Sequence, residues 1–173
     1  NVHAFTDGRH TDPHGGVDYM RQFQERADEI GVGRLVSIVG RYYAMDRDER
    51  WARTERAYRL LTEGEGAVFD DPVAALEASY QDEVTDEFVE PCRIRVDHEN
   101  AFGNHGTRVE DGDAVIYYNF RSDRARQLTR AFTVDGFEGF GRDRLADLEF
   151  VTMSPYDDAF DVPIAFDKLN LEG

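Results

Sequence analysis

Apolar positions along this chain repeat at intervals that switch between every second residue and every third or fourth, which predicts strands alternating with helices. Residues 2–5 read as a short strand running into a polar loop, 6–16, rich in Asp, Gly, His and Pro. Val17, Met20, Phe23, Ala27 and Ile30 share one helical face, predicting a helix that stops at Gly31. Leu35-Val36-Ser37-Ile38-Val39 is too short for a helix and rich in β-branched residues, so it reads as a buried strand. Asp46 and Glu49 have capping-box spacing, predicting a helix over 47–63 that buries Trp51, Tyr58 and Leu61 and ends at Gly64. Asp71-Pro72 opens another helix reaching about residue 82, with aspartate as cap and proline in the first turn. A strand over 89–96 leads into a loop rich in His, Asn and Gly. Ala114-Val115-Ile116-Tyr117-Tyr118 is a strand entered through the turn Glu110-Asp111-Gly112-Asp113. Ser122 is placed to cap a helix through about residue 132, and 148–153 is a last strand. The expected fold is α/β, a three-layer α/β/α domain with a mixed, largely parallel sheet, and no repeat or linker divides the 173 residues.

Charge narrows the function classes. There are 36 Asp+Glu against 20 Lys+Arg, a formal net charge of −16, and a single lysine, Lys168. Such a surface repels nucleic acid, and with lysine nearly absent it points to a salt-adapted (halophilic) organism, where ions screen the self-repulsion. No run approaches the ~18 apolar residues of a membrane helix, so no membrane partner is expected. One cysteine, Cys92, excludes an internal disulfide framework, and a cytoplasmic location is the default expectation.

Against that background arginine clusters in two stretches. Gly40-Arg41-Tyr42-Tyr43-Ala44-Met45-Asp46-Arg47-Asp48-Glu49-Arg50-Trp51 and Asn119-Phe120-Arg121-Ser122-Asp123-Arg124-Ala125-Arg126 place six arginines where they can converge on one small anion. Each stretch follows a predicted strand, and ligands of α/β sheets gather beyond the carboxyl ends of strands. A guanidinium fork grips phosphate or carboxylate bidentately. Arg41, Arg47, Arg121 and Arg124 are the substrate-binding candidates, and Asp123 is expected to point away from its neighbours. Arg50, Arg53 and Arg56 are expected to pair with Asp46, Asp48, Glu49 and Glu55 on a solvated face. His3, Asp7, Arg9, His10, Asp12 and His14 crowd the first loop. Their spacing matches no standard metal motif, and substrate contacts from Asp7, Arg9 and His10 are the expectation there. His98 and His105 read as surface residues.

The stretches His3-Ala4-Phe5-Thr6-Asp7-Gly8-Arg9, Gly40 to Trp51, Asp113 to Arg126 and Val151-Thr152-Met153-Ser154-Pro155-Tyr156-Asp157 together resemble the cofactor-independent (2,3-bisphosphoglycerate-independent) phosphoglycerate mutases. The resemblance implies an isomerase interconverting 3-phosphoglycerate and 2-phosphoglycerate in glycolysis and gluconeogenesis through a phosphoserine enzyme. It implies two domains: an alkaline-phosphatase-like one carrying two manganese ions and the serine, and an inserted phosphotransferase domain that clamps the glycerate. Residues 1–173 resemble most of the second. The first, the expected partner domain, has no counterpart here, so the chain alone is expected to be inactive and to hold no cofactor. Matched by motif, Arg41 and Arg47, then Arg121 and Arg124, fall on substrate-binding arginines. Arg9 and His10 fall on the Arg-Asp pair of an Asp-Gly-Arg-Asp motif, His10 replacing the aspartate; it remains a possible catalytic group, since neutral imidazole accepts a proton. Two other functions fit the residues: a stand-alone binding domain for small phosphorylated acids, and a metal-dependent hydrolase built on His3, His10 and His14.

Overall fold

A computed structural model of the chain describes residues 1–96 and 106–167. His98, His105 and Lys168 lie outside the described residues. The elements run β1 (Val2–Thr6), α1 (Gly16–Ile30), β2 (Leu35–Gly40), α2 (Arg41–Ala44), α3 (Trp51–Thr62), β3 (Ala67–Phe69), α4 (Pro72–Gln81), β4 (Cys92–Ile94), β5 (Ala114–Tyr117), α5 (Ser122–Thr133) and β6 (Glu149–Thr152).

The fold is α/β, and among the described residues its strands form two sheets. A four-stranded sheet has the order β1-β2-β4-β3, and β5 and β6 form a second, two-stranded one. The β1/β2, β3/β4 and β5/β6 pairs are parallel, and only β2/β4 is antiparallel. Strand β2 is buried along its whole length, so its near-continuous apolar run faces packed layers on both sides. On one side Val17 and Met20 of α1 and Ala75 and Leu76 of α4 pack against Leu35, Ile38, Cys92 and Ile94. On the other, Val39 meets Tyr43, Ala44, Ala57 and Leu60 of α2 and α3. That layer continues into a cluster of Tyr58, Leu61, Tyr117, Leu128, Phe132, Phe150 and Tyr156, which joins α3 and α5 to the second sheet.

Helix α1 stops where Gly31 turns left-handed, φ 77°, and Asp71 accepts the Ala74 N–H at 2.9 Å to start α4. Other boundaries differ from those read in the sequence. Helix α3 begins at Trp51 rather than near residue 47, because the Asp46 carboxylate takes the N–H groups of Asp48 and Arg50, both at 3.0 Å. Glu49 adopts φ 55° and donates its N–H to Gln127 Oε1 at 2.7 Å, so it cannot complete a capping box. Trp51 is only partly buried. Ser122 is the first residue of α5, and Arg121 occupies the cap position without a side-chain capping bond. The strand expected over 89–96 is the three-residue β4, and β3, its parallel neighbour, has no counterpart in the sequence reading.

One segment braces the end of the sheet from which the arginines emerge. A 3-10 turn, Asp86–Phe88, lies against the end of β2 and the loop after β1. A Cβ on Gly40 would sit 2.4 Å from the Glu87 carbonyl oxygen and 2.7 Å from the Val89 nitrogen. One on Gly8 would sit 2.6 Å from the Glu87 nitrogen. Gly40 also donates its N–H to Val89 O at 2.8 Å. Gly40→Ala must therefore push backbone away from backbone, at an expected loss of about 1–3 kcal/mol of stability. Urea denaturation of the variant measures it, and an unchanged midpoint would contradict the close contact.

Candidate functional site

The parallel register of β1 and β2 pairs Thr6 with Gly40, so Asp7 and Arg41 leave the sheet side by side at the same end. Arg41 opens α2 and is only 4% exposed. Its guanidinium hydrogen-bonds the Asp7 carboxylate and lies 2.8 Å from His10 Nδ1. Burial pushes the Asp7 carboxyl up, but the hydrogen bond and charge of Arg41, with the N–H groups of His10 and Arg9, outweigh it and hold Asp7 below its usual range. Arginine has no acceptor, so His10 Nδ1 must accept here and the proton of the neutral ring sits on Nε2. His10 therefore presents a donor outward, not the proton acceptor that its place in the sequence suggested. Arg9 reaches Glu87 at 3.5 Å.

The second arginine stretch arrives from the other sheet. Strand β5 ends at Tyr117, and Tyr156 donates its hydroxyl to the carbonyls of Tyr117, at 3.0 Å, and Asn119. Asn119 Oδ1 accepts the Arg121 N–H at 3.0 Å, which turns the chain into α5. A buried polar lock then joins this helix to the first stretch. Gln127 Nε2 donates to Asp46 Oδ2 at 3.0 Å and to Thr54 Oγ1 at 3.1 Å, while its Oε1 takes the Glu49 N–H.

The result is a cage of guanidinium groups. Asp123 does not point away: its carboxylate bridges Arg47 Nη1 at 2.7 Å and Arg121 Nε at 2.8 Å. The hydrogen bond from Arg121 drops its carboxyl to about 2, against some opposition from burial and with further help from Arg47. Arg124 donates Nη1 to the Met45 carbonyl at 3.0 Å, and its Nε is buried with no partner among the described residues. Burial, then the positive charges of Arg41, Arg47 and Arg9, hold Arg124 below its usual range, and Asp123 opposes them. Arg41, Arg47, Arg9 and Arg124 thus share one neighbourhood, and Asp123 ties Arg121 to it. Five arginines there meet three carboxylates, Asp7, Glu87 and Asp123.

Other arginines of the two stretches turn elsewhere. Arg50 lies 3.8 Å from Asp48, and Arg126 donates Nε to Tyr156 O at 2.6 Å, so neither belongs to the six-arginine convergence read from the sequence. Arg53 stacks over Tyr42 at 3.7 Å and pairs with Asp46, and Arg56 binds Glu90 over the Tyr43 ring. The histidines also separate. His3 Nδ1 is 2.6 Å from Ser37 Oγ, and burial takes its pKa down to about 4, while His14 packs edge-on to Tyr80. With His10 held by Arg41, the three do not form a common centre. Among the described residues no three His, Cys, Asp or Glu side chains are placed to share a metal ion. Cys92 is a core residue whose thiol burial pushes up to about 12. A cavity of about 610 Å3 beside β6, lined by residues including Phe132, Leu145 and Phe150, brings together none of the cage arginines. Among the described residues no helix is long and apolar enough to cross a membrane.

Comparison with known proteins gives the family of the chain. The model of the family described as BPG-independent PGAM N-terminus matches residues 1–158, and the chain belongs to that family. It is 80% identical, over all of its 173 residues, to the 2,3-bisphosphoglycerate-independent phosphoglycerate mutase of Salinibacter ruber, covering 33% of that protein. It is 45% identical over 95% of its length to the one from Syntrophotalea carbinolica, covering 31% of it. The chain thus spans about a third of the length of the curated relatives it matches. The crystal structure of Leishmania mexicana phosphoglycerate mutase at low cobalt concentration superposes with a TM-score of 0.78 at 30% identity, over 91% of this chain and 29% of that one.

The Asp123 carboxyl sits below the ~3.9 of an unfolded aspartate. Its contribution to stability is therefore full above that value and is lost as pH falls through about 2. The stability gap between wild type and Asp123→Asn should shrink between about pH 5 and pH 2 in urea titrations. A gap that stays constant would contradict the bridging ion pairs.

Proposed function

We propose that the cage binds the substrate of a phosphoglycerate mutase: Arg9, His10, Arg41, Arg47, Arg121 and Arg124 hold the carboxylate and phosphoryl group of 3-phosphoglycerate or 2-phosphoglycerate. The observation that carries this reading is Arg124, a guanidinium with a buried, unpartnered Nε set among three other arginines that disfavour its charge. Such repulsion is tolerable where an anion completes the site, and bidentate guanidinium contacts suit phosphate and carboxylate alike. It stands out in a chain whose net charge is −16.

In this reading the chain is most of the inserted phosphotransferase domain of a longer enzyme that works in the cytoplasm, in glycolysis and gluconeogenesis. The serine that carries the phosphoryl group and the two manganese ions belong to the phosphatase-like remainder of that enzyme. The described residues do not fit a metal: no ligand cluster is present, and a cage rich in arginine repels cations. This domain's part is to hold the glycerate while the phosphoryl group leaves one hydroxyl and returns to the other, excluding water and fixing orientation. His10, through Nε2–H, donates to a substrate oxygen, and Arg41 keeps the ring in that tautomer. The acidic exterior suits a salt-rich cytoplasm, where ions screen its self-repulsion. A stand-alone sensor of phosphorylated acids would use the same cage, but the relatives' extra two-thirds of length favours the enzyme.

Titration calorimetry with 3-phosphoglycerate tests the reading. Arg124→Ala should weaken binding by about 1.5–3 kcal/mol, the range for a hydrogen bond to a charged group. The pure chain should show no mutase turnover in a coupled assay. Binding that Arg124→Ala leaves unaltered would refute the site.

A further inference from the structure

The cage is not bare: one position in it already holds an anion. Asp123 lies in the first turn of α5, where the helix dipole favours a negative charge. Its two oxygens reach two guanidinium groups that come from stretches 74 positions apart (121 − 47 = 74): Arg47 Nη1 at 2.7 Å to Oδ2, and Arg121 with Nε at 2.8 Å to Oδ1 and Nη2 at 3.3 Å to Oδ2. The Arg121 contact is the side-on fork that a phosphoryl group would use. Arg47 and Arg121 are about half exposed, so their outer N–H groups stay open to an incoming ligand. The other carboxylates near the cage are placed differently. Asp7 is bound to the buried Arg41, and Glu87 reaches the exposed Arg9 at 3.5 Å.

We infer that the Asp123 carboxylate is a built-in occupant of the phosphate position, which holds Arg47 and Arg121 together and is exchanged for an incoming phosphoryl group. The inference rests on the reading of the cage as a substrate site. Exchange follows from charge and shape: a phosphoryl dianion offers three acceptor oxygens and twice the charge, and Arg124, whose charge Asp123 already supports, favours the more negative group. Asp123 is thus a positioning residue, not a catalytic one. Its carboxylate keeps the two half-exposed arginine side chains in register and relieves their mutual repulsion. It also sets a threshold, because any anion entering the site must first take over two existing ion pairs. A lone dianion passes that test only at high concentration, as in a crystal soak, and a ligand anchored at a second point by its carboxylate passes it at lower concentration.

The sign of one substitution separates this role from a merely structural one. Asp123→Asn removes the competing charge at nearly constant shape. Titration calorimetry of the 173-residue chain with inorganic phosphate and with 3-phosphoglycerate should find both bound about three- to ten-fold tighter by the variant, as expected for two partly exposed ion pairs that need no longer be broken. Asp123→Glu, which keeps the charge, should return affinity toward wild type. Far-UV circular dichroism checks the fold, and Asp123→Ser, also suited to a first helical turn, replaces Asp123→Asn if the latter unfolds. Equal or weaker binding by the charge-free variants overturns the exchange. If Arg124→Ala weakens 3-phosphoglycerate binding while Asp123→Asn does not strengthen it, only the exchange fails. If Arg124→Ala has no effect, the site reading fails and the inference falls with it.

Discussion

The contact on which the site depends is the buried bond from Gln127 to Asp46. Arg41 and Arg47 come from the end of one sheet, and Arg121 and Arg124 from the end of another, and among the described residues no strand is hydrogen-bonded across the two. Gln127 closes that gap by satisfying Asp46, Thr54 and Glu49 at once, and Asp46 is only 4% exposed. A buried polar group left unpaired costs about 1–3 kcal/mol, so separating the two stretches would expose several such losses together. The same lock bends residues 46–50 into a loop and delays α3 to Trp51, which leaves Arg47 free to reach Asp123 across the junction.

Around that lock the charges are arranged against the trend of the molecule. Most arginines in the chain neutralise a nearby carboxylate, as Arg59 does with Glu55 and Glu63. In the cage the carboxylates run short, and among the described residues Arg124 finds a carbonyl in place of a carboxylate. The fold supports this crowding by rigid means. The Thr6–Gly40 pairing sets Asp7 beside Arg41, and the Asp86–Phe88 turn presses on the same sheet end through Gly8 and Gly40. The repulsion at Arg124 works against stability, which on the proposed reading is the cost of a site shaped for a ligand that completes it.

Local signals explain what was legible beforehand. The apolar run of β2, the face of α1 with Gly31 behind it, and Asp71-Pro72 at the head of α4 each carry their own cause within a few residues. The arginine stretches stood out because lysine is almost absent. What escaped the sequence depends on distant partners. Asp46 and Glu49 have the spacing of a helix start, but Gln127, 81 and 78 residues away, takes them for a different purpose. Asp123 reads as a solvated neighbour of Arg121 until Arg47 is brought to it from 76 positions upstream. The tautomer of His10 follows from Arg41, and the role of the Asp86–Phe88 turn follows from two glycines in other loops.

The central claim is that this cluster of arginines is a cage left short of negative charge so that an anion completes it. Selenate, a heavier relative of sulfate and a mimic of a phosphoryl dianion, puts that claim to a direct test. Crystals of the chain soaked in selenate and measured at the selenium absorption edge would locate the anion without reference to any assumed pose. The account expects an anomalous peak between Arg47, Arg121 and Arg124, within hydrogen-bonding distance of the Arg124 guanidinium. Selenate bound only at other surface arginines, with the cage empty, would contradict it.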